Sequence, residues 1–210
     1  MRGLFVTTNS NTDSADDILA KIATNWDKVA VQDSMPIAHE LITKLNERGI
    51  NSSVWTASPD DTTRLLSYGA KQIIVQGEDN QADASILNVA ALRTNGFNGL
   101  LSVVSNLWPS RCLPWWDAYM HKNSIRLLPE CYLPENPNQT VAAMVGEGIR
   151  RGYPTCQGVL GCYWGFGLKD YLPLPRDYWI WDAAQMLAGD WARPRDAVSF
   201  SDEEDEETAQ

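Results

Sequence analysis

Eight short runs of aliphatic, β-branched and aromatic residues alternate with helix-like runs along nearly the whole chain, and this beat restricts the fold more than any other feature. The strand-like runs are Leu4–Thr8, Val29–Gln32, Ser53–Ala57, Lys71–Gln76, Leu100–Ser105, Ile125–Tyr132, Gly158–Trp164 and Tyr178–Trp181. Between them, Asp16–Asn25 reads as a helix capped by Asp13 or Ser14. Pro36 opens a second helix that places Ile37, Leu41, Ile42 and Leu45 on one face and closes at Gly49. A short helix from Ser58-Pro59-Asp60-Asp61 ends at Gly69, and Asp83–Thr94 is stopped by Asn95-Gly96. The Trp-rich Pro109–Lys122, Gln139–Arg151 and Asp182–Trp191 complete the helical set. Gly165 to Asp177, broken by glycines and prolines, reads as a loop with at most a short helical turn. Pro129 limits the regularity of the sixth strand.

Parallel strands joined by right-handed helical crossovers either close into a barrel or form an open, doubly wound sheet. The count of eight predicts a single α/β domain, a (β/α)8 TIM-like barrel over residues 1–192. No glycine lies between Thr7 and Ser14, so the first strand-to-helix turn of a dinucleotide-binding fold is missing. The alternative architecture is an open α/β sheet with a Trp-rich C-terminal subdomain. Residues 193–210 lose all periodicity and form an acidic C-terminal tail, disordered or held by a partner.

Charge and composition then narrow the function classes. The net charge is −10, of which the block Asp202–Glu207 supplies six, leaving −4 for the rest. Nucleic-acid binding rests on clustered Lys and Arg, so nucleic acid is not an expected partner. No apolar run approaches the roughly 20 residues of a membrane-spanning helix. The N-terminal residues show no secretion signal, which implies synthesis in the cytoplasm. Four cysteines without a CxxC pair, and two histidines set within helices, His39 and His121, make free thiols the expectation and a metal site improbable. No cofactor motif, nucleophile elbow, Walker loop or HExxH is present. Gly161, Gly165 and Gly167 flank the seventh strand, where barrels often hold phosphate, but only Lys169 and Arg176 stand nearby as cations.

Barrel chemistry collects at the C-terminal ends of the strands. There the sequence places Gln32-Asp33, Gln76-Gly77-Glu78, Glu130-Cys131-Tyr132 and Trp181-Asp182. Alternation puts Gln76 on one face with Glu78, and Glu130 with Tyr132; beside apolar Ile74 and Leu128, those faces point into the mouth. Two carboxylates across a mouth are the minimum equipment for glycoside hydrolysis. Glu78 is the expected acid/base, with Glu130 or Asp33 as the second carboxylate, although Asp33 and Asp79 also suit helix caps. Trp55, Trp108, Trp164 and Trp181 fall at or just past strand ends, where flat indoles stack on sugar rings.

On Ile73-Ile74-Val75-Gln76-Gly77-Glu78 the chain resembles glycoside-hydrolase-like (β/α)8 domains, with Tyr132 and Trp181 at the positions of a strand-six Tyr and a strand-eight Trp. Gln76 stands where such domains carry an aspartate. The compact format and acidic tail are similar to the small barrels carried by minor tail proteins of bacteriophages of Actinobacteria. The resemblance implies a structural virion component, in the phage tail or baseplate, that binds host-surface glycan or a neighbouring subunit. Gln76, Tyr132 and the four strand-end tryptophans would then be its binding residues. The alternative is an active glycoside hydrolase that cleaves a bacterial cell-wall polysaccharide. A third class, a small-molecule lyase or isomerase, calls for a buried lysine or a phosphate cradle, and the sequence displays neither plainly.

Overall fold

A computed structural model of the chain describes residues 1–7, 13–22, 26–57, 61–77, 89, 91–105, 114–132, 140–161, 168–171, 174 and 176–181. Eight strands are present: β1 Arg2–Val6, β2 Lys28–Gln32, β3 Asn51–Thr56, β4 Gln72–Gln76, β5 Leu100–Ser105, β6 Ile125–Pro129, β7 Gly158–Gly161 and β8 Tyr178–Trp181. They form one sheet in the order β6-β5-β4-β3-β2-β1-β8-β7, every pair parallel. The described helices between them are α1 Ala15–Ile22, α2 Ala38–Glu47, α3 Thr62–Ser67, α4 Pro114–Lys122 and α5 Val141–Arg150, and residues 91–94 are also helical. This is the TIM-like barrel that the strand count predicts. The tail and the expected helix Asp182–Trp191 lie outside the described residues.

The barrel has a seam. β6 ladders with β5 and β7 with β8, but β6 and β7 meet only at an isolated bridge between Glu130 and Val159. The Glu130 amide donates to Ser105 on β5 (3.0 Å), and the next amide, Cys131, donates across the seam to Val159 (2.7 Å). Amides alternate sides along a strand, so position 129 is the previous one to face β7. It is proline and has no N–H to give. Pro129 and a four-residue β7 therefore leave the seam unladdered, and β6 ends where the sequence had it running on to Tyr132. β7 likewise stops at Gly161, short of the expected Trp164.

Local signals fix the helix ends. The Ser14 hydroxyl accepts from the Asp17 amide (3.2 Å) while the Asp17 carboxylate accepts from the Ser14 amide (3.1 Å), a reciprocal cap that starts α1. Asp61 accepts from the Arg64 amide at the start of α3, and Thr140 from the Ala143 amide at the start of α5. Each amphipathic helix buries one face on the sheet: Ile18, Leu19 and Ile22 of α1, and Leu41, Ile42 and Leu45 of α2, pack against outward-facing Leu4, Val6, Val29 and Val31.

Inward-facing residues form a second core, and it is aromatic. Phe5, Ala30, Trp55, Ile74, Val104, Leu128, Val159 and Trp179 fill the barrel's middle, with Trp181 above them. Phe5 packs against Trp179 (5.1 Å between ring centres) and Trp181 (5.2 Å), and Trp181 meets Trp55 edge-on at 4.8 Å. Below this stack the wall turns polar. Ser53 donates to Gln72 (3.2 Å) and Gln72 to Ser102 (2.8 Å), a chain across β3, β4 and β5. Gly3 makes the lower barrel passable: a Cβ there would stand 2.4 Å from the Trp179 ring and 2.7 Å from the Lys28 stem. Gly3→Ala is accordingly expected to lower the unfolding free energy by about 2 kcal/mol through overpacking. Gly146→Ala, inside α5 with open space at its Cβ, is expected to raise it by about 0.5 to 1 kcal/mol. Urea midpoints at unchanged m-value check both signs.

Candidate functional site

The C-terminal mouth is built by the last inward position of each strand. Strand alternation, anchored by Phe5, Ala30, Trp55, Ile74 and Leu128 in the inner core, turns Thr7, Gln32, Gln76, Glu130 and Trp181 to the same side one step further up. Tyr132 joins the inner cluster beyond β6. Thr7, Glu130 and Tyr132 are buried, while Gln32, Gln76 and Trp181 are half-buried. The strand ends are tied down around them. Gly77 donates to the Val104 carbonyl (2.8 Å), Ser105 returns a hydroxyl bond to the Gly77 carbonyl (2.7 Å), and the Tyr171 hydroxyl holds the Gly161 carbonyl at 2.6 Å.

Glu130 is the chemically distinctive residue. Its residue exposure is 5%, and it sits at the seam where β6 and β7 touch. Leu128 and Tyr132 lie on its own face, and Val159 bridges to it from β7. Trp55 adds a second feature. It is 5% exposed, and among the described residues its Nε1–H has no hydrogen-bond acceptor. A buried unpaired N–H costs about 1 to 3 kcal/mol, so a ligand acceptor placed there would recover that cost.

The other expected site residues divide. Gln76, Tyr132, Trp55 and Trp181 share the inner face with Glu130. Asp33 does not. Alternation turns it outward from Gln32, and its carboxylate, 8% exposed, pairs with Arg64 of α3 at 2.7 Å while the Tyr68 hydroxyl donates to its carbonyl (2.9 Å). Glu78, Trp108 and Trp164 lie outside the described residues. Gln32 and Thr7 are mouth residues that sequence reasoning passed over, although the alternation that selects Gln76 selects them too. His39 and His121 stand in helices as expected, each against a tyrosine ring. Burial pushes the Cys131 thiol well above the ordinary range and that of Cys156 up to about 12, so neither is a thiolate nucleophile. No group of three or more His, Cys, Asp or Glu among the described residues could hold a metal ion. No described helix is long and apolar enough to cross a membrane.

No family model matches the chain, and no curated protein matches it by sequence. Its fold is similar to solved barrels. With 3-keto-L-gulonate-6-phosphate decarboxylase from Vibrio cholerae it shares 12% identity at a TM-score of 0.59, over 90% of this chain and 91% of that one. With KGPDC from Streptococcus mutans, solved as a ligand complex, it shares 13% identity at a TM-score of 0.54, over 84% and 86%. At this identity the likeness shows the barrel alone. It also corrects the resemblance read from the sequence, because these neighbours are decarboxylases and neither a glycoside hydrolase nor a phage tail protein. A carboxylate or indole at a strand end is generic to barrels, and fold does not carry chemistry with it. That is why the Gln76-Gly77-Glu78 pattern misled.

The buried indoles of Trp55 and Trp179 differ in what they hold. Trp55→Phe removes an unpaired donor and keeps a ring against Trp181, so the unfolding free energy is expected to change by less than about 1 kcal/mol. Trp179 is fully buried and donates to Gln157 at 3.1 Å. Trp179→Phe loses that bond and leaves a void, and is expected to cost about 2 to 4 kcal/mol in the same urea titration.

Proposed function

We propose that the chain is a barrel enzyme of the lyase or isomerase class, moving a proton at the carbon beside a carbonyl of a small hydroxylated compound held in the C-terminal mouth. The observation that carries this reading is the placement of Glu130, a buried carboxyl on the inner face at the seam, with Tyr132 on its own face and the indoles of Trp55 and Trp181 in the same mouth. In a decarboxylation the bond to the carboxylate breaks, CO2 leaves, and its electron pair stays on carbon as an enolate. The Glu130 carboxyl gives that carbon its proton. In an isomerisation the same group takes a proton from one carbon and returns it to the next. Gln32 and Gln76 offer amides to substrate hydroxyls, and the Trp55 N–H offers a donor for an oxygen.

A further point supports the reading. The solved barrels that the chain resembles are named for a decarboxylase activity on a keto sugar acid phosphate. The earlier expectations of a virion component and of a two-carboxylate hydrolase are set aside. The neighbours are enzymes of another class, and the described carboxylates do not pair across the mouth, since Asp33 is turned away to Arg64.

The test is proton NMR in D2O with 3-keto-L-gulonate 6-phosphate and a panel of keto sugars and β-keto acids, following CO2 loss and deuterium incorporation. Turnover of at least one compound is expected, reduced roughly 100-fold or more by Glu130→Gln. Deuterium incorporation that Glu130→Gln leaves at the wild-type rate, or none with any compound, would overturn the assignment.

A further inference from the structure

The polar lower half of the barrel encloses a cavity of about 310 Å³ at the N-terminal end, on the far side of the aromatic core from the mouth. Its wall includes Lys28, Lys71 and Arg126, with Asn51, Asn98 and Gln72 beside them, and no aspartate or glutamate lines it. Lys28 is only 7% exposed; its ammonium lies 4.3 Å above the Trp179 ring and donates to Gln157. That leaves two of its three N–H donors unspent. Among the described residues the Arg126 guanidinium and the Lys71 ammonium make no hydrogen bond or ion pair.

Three cations around one small cavity repel one another unless something negative sits between them. Burial pushes the Lys28 pKa down to about 8, and Arg126 acts on it in the same direction. Asp177 and Asp27 oppose the shift, but both are engaged elsewhere, Asp177 with the Met1 ammonium and Asp27 with the Arg2 amide. The protein thus holds a cationic, partly desolvated chamber whose own carboxylates are spent outside it.

We propose that this N-terminal cavity is a binding site for a small phosphate monoester, its dianion held between Lys28, Lys71 and Arg126 and its hydroxylated body by the neighbouring asparagine and glutamine side chains. A dianion suits the surplus of cations, and the volume lies at the small end of ligand pockets. The amides make an ester with hydroxyl groups a better occupant than free phosphate. The site is independent of the mouth, because Phe5, Trp55, Trp179 and Trp181 stand between the two.

Calorimetric titration of the full chain with glycerol 3-phosphate, and separately with inorganic phosphate, tests this. Saturable binding of glycerol 3-phosphate at pH 7 is expected, at least tenfold tighter than inorganic phosphate. Arg126→Gln and Lys71→Gln, at half-buried and exposed positions, should each weaken it tenfold or more with an unchanged circular dichroism spectrum. Affinity should fall between pH 7 and pH 9, because Lys28 gives up its proton across that interval while the ester stays dianionic. Trp55→Phe, at the mouth, should leave binding intact. No saturable binding, or binding indifferent to both charge variants, would overturn the site. Loss on Trp55→Phe would move the ligand to the mouth, and equal affinity for inorganic phosphate would remove the ester from the assignment.

Discussion

The interior contact of Phe5, Trp55, Trp179 and Trp181 is what the rest of the structure depends on. The barrel's seam is unladdered between β6 and β7, and among the described residues it is crossed by one isolated bridge with its Cys131-to-Val159 amide bond. Ring packing at centre distances of 4.8 to 5.2 Å fills the middle instead. The arrangement needs Gly3, whose missing Cβ admits the Trp179 ring and the Lys28 stem at once. It also needs Gln157, which accepts from both Lys28 and the Trp179 indole. A few residues of β1, β2 and β8 thereby set the shape of the lower barrel.

That aromatic layer divides the barrel into chambers of opposite character. Above it the described inward residues are neutral or acidic: Thr7, Gln32, Gln76 and Glu130. Below it the cavity wall is cationic and amide-rich. Barrel active sites occupy the C-terminal face, where loops are free to vary, while the N-terminal face usually serves stability. Here the N-terminal face departs from that division of labour, because it gathers three cations around a cavity that no carboxylate lines. Phe5, Trp55, Trp179 and Trp181 are the floor of one chamber and the ceiling of the other, and they keep the two apart.

Much of the fold was legible because strands covered on both faces read as continuous apolar runs. Leu100–Ser105 and Tyr178–Trp181 have the bounds that the residues imply. Ends were less legible where a breaker acts through its neighbours. Pro129 halts β6 because its missing N–H falls on the seam side, and which side that is depends on the register. The helix expected from Pro109 is described from Pro114 onward. In the mouth, alternation correctly grouped Gln76, Glu130 and Tyr132 with the inner core. The same alternation puts Asp33, one step past Gln32, on the outer face, where it pairs with Arg64. The lower cavity was invisible in sequence. Lys28 and Arg126 look like the solvated starts of two unrelated strands, and only closure of the barrel brings them to one wall.

The partition of the barrel by its aromatic layer is the central claim, and indole resonances report on it directly. In a ¹H–¹⁵N spectrum with the side-chain N–H signals of Trp55, Trp179 and Trp181 assigned, glycerol 3-phosphate is the ligand to titrate. The Trp179 signal is expected to move, because its N–H shares Gln157 with Lys28, while Trp55 and Trp181 stay in place. Equal movement of all three signals would show one continuous chamber and contradict it.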